Sequence, residues 1–198
     1  MSAETLSEPL LLATSLPSSV ATAVAVVSDG LVIVLLMAVI REWVKARKAP
    51  ATAMAAALLA LCAPLVAYLA SETVKSLTEI PRPCQQLELA LHTGCPAATD
   101  WSFPSNHATV AAAAATAWVM LTSRRSGALW TTTVIAGVAV LAAATRVLLG
   151  VHSLVDVLAG LALGSTTALA ILWWGTGRAN TVSGLRRNGR VRWVVGSD

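Results

Sequence analysis

Three short segments, residues 75–83, 104–107 and 145–156, contain side chains that suit the chemistry of a phosphate group. The side chains with this chemistry are, in chain order, Lys75, Arg82, Ser105, His107, Arg146, His152 and Asp156. Lysine and arginine are cationic donors, and the arginine fork matches two phosphate oxygens at once. A histidine can attack phosphorus or move a proton near neutral pH. The three segments therefore contain both a binding set and a reacting set for a phosphate ester.

The spacing within these segments adds two expectations. Asp156 follows His152 by four residues, which places both on one face of a helix, so the carboxylate can orient the imidazole as in a catalytic triad. A helix that begins directly after Pro104 would present free backbone N–H groups and the positive end of its dipole to an anion, and Ser105 would add a hydroxyl.

Each residue also has a common structural explanation. A single arginine at a membrane boundary is often an interfacial anchor, and a single histidine there is often structural. The joint arrangement favours a site, because two of the three histidines fall within the three segments. His92, the remaining histidine, is interpreted as an ordinary loop residue.

The composition indicates that these segments belong to a membrane protein. Of the 198 residues, 56% are hydrophobic and 12% are charged, and the mean hydropathy is +0.71. A soluble domain contains about 25% charged residues, and so apolar a chain is not disordered. Apolar stretches of near-spanning length occur at about 20–40, 51–70, 108–123, 127–145 and 157–175.

The sequence therefore predicts an all-α integral membrane bundle of about five transmembrane helices. The alanine-rich stretch 108–123 is expected to lie inside the bundle. Residues 1–19 form an N-terminal segment that could lie on the surface, residues 20–175 form the transmembrane domain, and residues 176–198 form a basic tail.

The basic residues predict the orientation of the bundle. Eleven of the fourteen Lys and Arg residues fall on one side of the five-helix arrangement, and such residues stay in the cytoplasm. The N-terminus is therefore expected outside and the C-terminus inside. The three exceptions, Lys75, Arg82 and Arg146, lie at the outer face, where chemistry must explain them. The basic tail is expected to contact anionic lipids of the inner leaflet, whereas no nucleic-acid partner is indicated and the oligomeric state stays open.

Together, the three segments resemble the signature of the type 2 phosphatidic acid phosphatase (PAP2) superfamily. Residues 75–83 (KSLTEIPRP) match a lysine, six residues and Arg-Pro, and residues 104–107 (PSNH) match Pro-Ser-Gly-His. Arg146, His152 and Asp156 match the third signature by their spacing. The resemblance covers about residues 20–175. It implies a membrane phosphatase that acts on a phosphomonoester or diphosphate of a lipid, such as phosphatidic acid, phosphatidylglycerol phosphate or a polyprenyl phosphate or diphosphate.

The resemblance also implies roles for the residues. His152 would be the nucleophile that forms a phosphohistidine, Asp156 would orient it, and His107 would protonate the leaving alkoxide and then activate water. The groups that would hold the phosphate oxygens are Lys75, Arg82, Ser105, Arg146 and the backbone N–H of Asn106. No metal or other cofactor is implied.

Two residues depart from the family pattern. Asn106 stands where the family has glycine, and Thr145 stands where serine commonly precedes the arginine. Because asparagine tolerates a left-handed backbone conformation and the donor at this position is main chain, we expect activity to be retained.

Two other functions remain open. The chain could be a phosphotransferase of the same family, or a non-catalytic membrane protein that binds anions or lipids. A transporter would be expected to show a polar pathway at the bilayer midplane and often an internal repeat, and the sequence shows neither.

Five further residues receive structural interpretations. Asp29 is an acid within the first span and so a functional candidate, although solvation or capping of a helix start is favoured. Gly160 and Gly164 form a G-x-x-x-G pair, which indicates close helix packing. Cys84 and Cys95 could form a disulfide in the outer loop, but sequence does not determine their geometry.

Overall fold

The computed structural model describes residues 13–87, 91, 93–123, 127–175, 179–187 and 192–196, and this part of the chain is helical with no strand. The helices are, in chain order, α1 (Ser18–Ala46), α2 (Ala51–Thr78), α3 (Pro83–Gln86), α4 (Asn106–Thr122), α5 (Ala128–Leu148), α6 (Leu154–Gly175), α7 (Ala179–Arg187) and α8 (Arg192–Val195). The predicted all-α fold class is confirmed.

Within the described ranges, four helical stretches are long and apolar enough to cross a membrane. They are Ser18–Ala46, Ala51–Gln86, Leu129–Leu148 and Leu154–Gly175. The fifth predicted span corresponds to α4, which has 17 residues. A helix of that length extends about 25 Å, somewhat less than the hydrocarbon core of a typical bilayer. The count of five spans therefore stays a prediction.

The short helix α4 lies at the centre of the bundle and packs against α1, α2, α5 and α6. Its alanine side chains are each 6% exposed or less, namely Ala108, Ala111, Ala112, Ala113, Ala114, Ala115 and Ala117. Small side chains let the surrounding helix backbones approach closely. The expectation that this stretch lies inside the bundle is confirmed.

The connection between α2 and α4 is shorter than the gap between the predicted spans 51–70 and 108–123. Helix α2 continues to Thr78, and α3 adds one turn. The apolar stretch ends at about residue 70, yet the following residues favour helix, so the helix outlasts its hydrophobic part. It ends at Thr78, shortly before Ile80. Ile80 precedes Pro81, and a residue before a proline disfavours helical conformation. Lys75 thus lies on a regular helix.

A disulfide between Cys84 and Cys95 closes the loop that follows α3, with the two Cα atoms 6.0 Å apart. This settles the alternative that the sequence left open. His92 lies between the two cysteines and outside the described residues.

The described parts of the tail pack against the bundle at the end opposite the three predicted segments. Val182 and Val195 are buried there beside Ala46 and Met54. The indole N–H of Trp43 donates to the carbonyl of Val194 at 3.2 Å. Contact between the tail arginines and anionic lipids stays a prediction.

Close packing at the two glycines of α6 is also confirmed. A Cβ atom on Gly160 would lie 2.6 Å from the carbonyl oxygen of Ser105 and 2.9 Å from the Cβ atom of Ala108. A Cβ atom on Gly164 would meet the carbonyl group of Thr109. Glycine at both positions therefore lets α6 contact the backbone of α4.

The Gly160→Ala variant is expected to be less stable than the wild-type protein. The added methyl group meets backbone at Ser105, which can move only with the start of α4, and overpacking of this kind costs about 1–3 kcal/mol. Thermal unfolding in detergent measures the effect. Gly137→Ala is the matched control, because a Cβ atom on this α5 glycine has no neighbour within 4 Å. Equal melting temperatures for the two variants would contradict the packing explanation.

Candidate active site

The structure brings the three predicted segments together at one end of the bundle. Their polar residues come from the last turn of α2, the residue before α3, the start of α4, the last turn of α5 and the start of α6. Several are 4% exposed or less, namely Lys75, Arg82, Ser105, His152 and Asp156. Buried charges are costly unless they are paired, so their partners define the chemistry of the site.

Arg82 connects the three segments through its guanidinium group. Its Nη1 donates to the carbonyl of Val151 at 3.1 Å and lies 2.9 Å from Nε2 of His152. Its Nε donates to the carbonyl of Asp100 at 2.8 Å, and its Nη2 donates to Oδ1 of Asp100 at 2.8 Å. Because a guanidinium group only donates hydrogen bonds, Nε2 of His152 directs a lone pair toward Arg82.

The other ring nitrogen of His152 faces a serine and a carboxylate. Nδ1 lies 3.4 Å from Oγ of Ser102 and 3.7 Å from Oδ2 of Asp156. Ser102 donates to the same Oδ2 at 2.6 Å. With the lone pair on Nε2, the proton of a neutral imidazole is assigned to Nδ1. Ser102 therefore lies between the histidine and Asp156.

The residues around the start of α6 hold Asp156 in place. The backbone N–H of Ser153 donates to Oδ2 of Asp156 at 2.7 Å, and the backbone N–H of Asp156 donates to Oγ of Ser153 at 3.2 Å. This reciprocal pair is a capping box with aspartate in place of glutamate. The four-residue spacing thus brings His152 and Asp156 together, although His152 lies in the turn before the helix rather than within it.

Burial lowers the pKa of His152 to about 4. The positive charges of Arg82 and Arg146 act in the same direction, whereas Asp156 acts in the opposite one. His152 is therefore neutral at pH 7, as a nucleophile must be.

Asp100 bridges two of the predicted phosphate-binding cations. Its Oδ1 lies 3.2 Å from Nζ of Lys75 and 2.8 Å from Nη2 of Arg82. Partial burial alone would raise the pKa of Asp100, but Arg82 and Lys75 hold it below its usual value. The carboxylate therefore stays ionised and keeps the two cations side by side.

Apart from Nε2 of His107, two buried donors of the site have no hydrogen-bond partner among the described residues. They are Oγ of Ser105 and Nε of Arg146. Ser105 precedes α4 without capping it, and the first backbone N–H groups of a helix lack intrahelical partners. Unpaired buried polar groups are rare in folded proteins, and an anion at the start of α4 would satisfy these donors.

Asn106 is the first residue of α4. It does not have a positive φ, so its tolerance of left-handed backbone is not needed here. The first position of a helix requires right-handed backbone. Its side chain donates to Glu72 at 2.6 Å and accepts from Ser71 at 2.6 Å, which ties α4 to α2 and leaves the backbone N–H as the donor for a ligand.

His107 contacts Asp29, a residue that the sequence analysis did not assign to the site. Its Nε2 lies 3.0 Å from Oδ1 of Asp29. The interpretation of Asp29 as a helix cap is wrong, because α1 begins at Ser18 and Asp29 is its twelfth residue. The neighbouring Ser28 accepts a hydrogen bond of 2.7 Å from Thr145, so the second departure from the family pattern anchors α1 to α5.

Three residues of the site were not predicted to belong to it, namely Asp100 and Ser102 before the PSNH segment and Asp29 in α1. Asp100 and Ser102 lie within a few residues of His107 in sequence. This polar cluster next to the motif was an available signal for both. For Asp29, the charge inside an apolar stretch was the signal.

Fold and site together define a helical bundle with candidate membrane spans and a buried group of cations and histidines at one end. The family model of the PAP2 superfamily matches residues 51–179. The chain belongs to the PAP2 superfamily, and the predicted resemblance is confirmed. The match begins at α2 and leaves α1 outside. Comparisons with curated proteins and with solved structures give no match.

Proposed function

We propose that the chain is an integral membrane lipid phosphatase that works through a phosphohistidine intermediate. One observation carries the proposal: Nε2 of His152 lies 2.9 Å from Arg82, while Nδ1 faces Ser102 and Asp156. A neutral imidazole then directs its lone pair into a group of cations that would hold a phosphate. PAP2 superfamily members are generally phosphatases, which supports the same assignment.

In the first step, Nε2 of His152 forms a bond to phosphorus and the bond from phosphorus to the leaving oxygen breaks. His107 gives its proton to that oxygen, while Asp156 stabilises the positive charge that develops on the ring of His152. The phosphate oxygens would be held by Lys75, Arg82, Ser105, Arg146 and the backbone N–H of Asn106.

In the second step, His107 is neutral and accepts a proton from water. The water oxygen attacks phosphorus, the bond between phosphorus and Nε2 breaks, and phosphate leaves. His152 returns to its neutral form and His107 has regained its proton. The cycle balances without a metal or other cofactor.

Two apolar grooves support a substrate with a hydrocarbon tail. One, of about 360 Å³, lies between α5 and α6 and is lined only by apolar side chains, including Val147, Leu154 and Val157. The other, of about 460 Å³, lies between α1 and α5. Val147 and Val157 directly follow Arg146 and Asp156 in sequence. A lipid with its phosphate at the site could therefore place its tail along α5.

We further propose that the site faces the extracytoplasmic side of a cell membrane. The support is the predicted distribution of Lys and Arg, with eleven of fourteen at the opposite end of the helices. A site at the outer boundary would act on lipid phosphates of the outer leaflet.

The experiment is phosphate release by the purified protein from phosphatidic acid, phosphatidylglycerol phosphate and a polyprenyl diphosphate. We expect release to continue in excess EDTA, because the cations and the start of α4 already neutralise phosphate. In the described residues, no three His, Cys, Asp or Glu side chains are grouped to hold a metal ion. Vanadate, which mimics pentacoordinate phosphorus, is expected to inhibit. Sealed right-side-out vesicles should hydrolyse external p-nitrophenyl phosphate, whereas inverted vesicles should not.

Each arm has an outcome that contradicts its proposal. Loss of activity in EDTA that Mg²⁺ restores would exclude the proposed metal-free mechanism. Tight binding of lipid phosphate without turnover would indicate a non-catalytic lipid-binding protein. Transfer of the phosphoryl group to an added alcohol in preference to water would indicate a phosphotransferase. Activity confined to inverted vesicles would reverse the orientation.

A further inference from the structure

Helix α1 lies outside the residues that the family model matches, yet it contributes a carboxylate to the site. The match to the PAP2 superfamily begins at residue 51, whereas Asp29 lies near the middle of α1 (Ser18–Ala46). No family motif therefore assigns a role to Asp29. Its contact with His107, at 3.0 Å between Oδ1 and Nε2, needs an explanation of its own.

The position of Asp29 is determined by the residue before it. Ser28 is fully buried and accepts a hydrogen bond from Thr145 of α5. The donor, Thr145, directly precedes Arg146 in the sequence. The hydrogen bond therefore fixes which face of α1 lies toward the site. The Asp29 side chain itself is 64% exposed. A fixed backbone with a free side chain lets the carboxylate follow the ring of His107.

The contact engages one particular nitrogen of His107. Nε2 is buried, and among the described residues it has no aligned hydrogen-bond partner, although Oδ1 of Asp29 is within ion-pair distance. The other charged group that acts on His107 is Arg146, which repels a proton rather than holding one. Asp29 is thus the group suited to keep a proton on Nε2.

We propose that Asp29 is the positioning residue of His107, holding Nε2–H of the ring so that Nδ1 serves as the nitrogen that exchanges protons with substrate. This rests on the proposed function. In the first step, the proton on Nδ1 moves to the leaving oxygen. In the second step, Nδ1 takes a proton from the attacking water. Asp29 remains a carboxylate throughout, in the way Asp156 does beside His152.

The site then contains two carboxylate–imidazole pairs with different tasks. Asp156 is buried and serves the nucleophile, whereas Asp29 is exposed and serves the acid. The second pair is assembled only when α1 packs on α4 and α5. This arrangement gives α1 a part in the reaction as well as in membrane anchoring.

The test compares Asp29→Asn with wild type on two esters, dodecyl phosphate, whose leaving alkoxide needs a proton, and p-nitrophenyl phosphate, whose leaving group does not. Because general-acid catalysis contributes 10²- to 10⁴-fold, we expect Asp29→Asn to slow phosphoenzyme formation, measured in a single turnover, at least about tenfold from dodecyl phosphate and less than about threefold from the nitrophenyl ester. Asp29→Glu retains the carboxylate and should recover part of the loss.

A double variant separates positioning from a structural effect. In the His107→Ala background, Asp29→Asn should cause no further loss on dodecyl phosphate, because residues that act as a unit are not additive. Ser28→Ala removes the bond that sets the position of Asp29 but keeps the carboxylate. It should slow phosphoenzyme formation from dodecyl phosphate more than from the nitrophenyl ester, and by less than Asp29→Asn does.

The outcomes distinguish this proposal from the proposed function. Wild-type protein without turnover on either ester would overturn both. Active wild type together with an Asp29→Asn variant that forms phosphoenzyme equally slowly from both esters, or that loses further activity in the His107→Ala background, would overturn the role of Asp29 alone. An Asp29→Asn variant with wild-type rates on both esters would do the same.

Discussion

The His152→Ala variant is expected to release no phosphate and to form no phosphoenzyme. The nucleophile is lost entirely, because the other histidine of the site, His107, serves as acid and base rather than as the attacking group. In enzymes with a covalent intermediate, removal of the nucleophile lowers kcat by more than about 1,000-fold. Acid-quench trapping of protein incubated with ³²P-labelled lipid phosphate measures the intermediate directly.

His92→Ala serves as the control for this variant, because His92 is the histidine outside the three segments. It should form phosphoenzyme at the wild-type rate. A His152→Ala variant that still accumulates labelled protein would assign the nucleophile to another residue, with His107 first in line.

The pKa of His152, lowered to about 4 by burial, gives the same experiment a pH dependence. A histidine loses its nucleophilic lone pair only when it is protonated, and this one is protonated only below about pH 4. As the pH is lowered from 8 to 4, the rate of phosphoenzyme formation should therefore not decline with an apparent pKa near 6.5, the reference value for histidine, if His152 is the titrating group. A decline of that kind would report another residue, and single-turnover measurements between pH 4 and 8 decide.

The sequence predicted well which segments lie together at one end of the bundle, because phosphate chemistry restricts residue types. Few other functions need two histidines, two arginines and a lysine at these spacings. The structure places all three segments at one end of the bundle. The four-residue interval from His152 to Asp156 was sufficient to bring the two side chains together.

Contacts between distant segments were not predictable in the same way. Ser102 lies between His152 and Asp156 because the loop before α4 crosses the start of α6. Asp29 reaches His107 because α1 packs on α5 through Ser28. No spacing in the sequence predicts either contact, because each depends on how two distant segments of the chain pack against each other.

The charge state of His152 could not be predicted from the sequence either. Asp156 favours the imidazolium form and the arginines oppose it, so the signs alone do not decide. Burial makes the largest contribution, and burial follows from the packing of α4, α5 and α6. A linear sequence gives the charges near a group more readily than it gives the exclusion of water from it.

The His107→Ala variant is expected to lose activity according to the leaving group of the substrate. An alkoxide leaves poorly without a proton, and a positioned acid is worth about 100- to 10,000-fold in such a step. Nitrophenolate leaves without protonation. We therefore expect a large loss of phosphoenzyme formation from dodecyl phosphate and a small one from p-nitrophenyl phosphate.

The second step gives this variant a distinct signature. His107 also activates the water that hydrolyses the phosphohistidine, so its loss should slow breakdown of the intermediate for both esters. With p-nitrophenyl phosphate the variant should release about one equivalent of nitrophenol per enzyme in a burst, then turn over slowly as phosphoenzyme accumulates. The His152→Ala variant should show neither burst nor phosphoenzyme. Should His107→Ala instead lack the burst while His152→Ala retains it, the two histidines exchange roles, and Asp29 rather than Asp156 becomes the carboxylate behind the nucleophile.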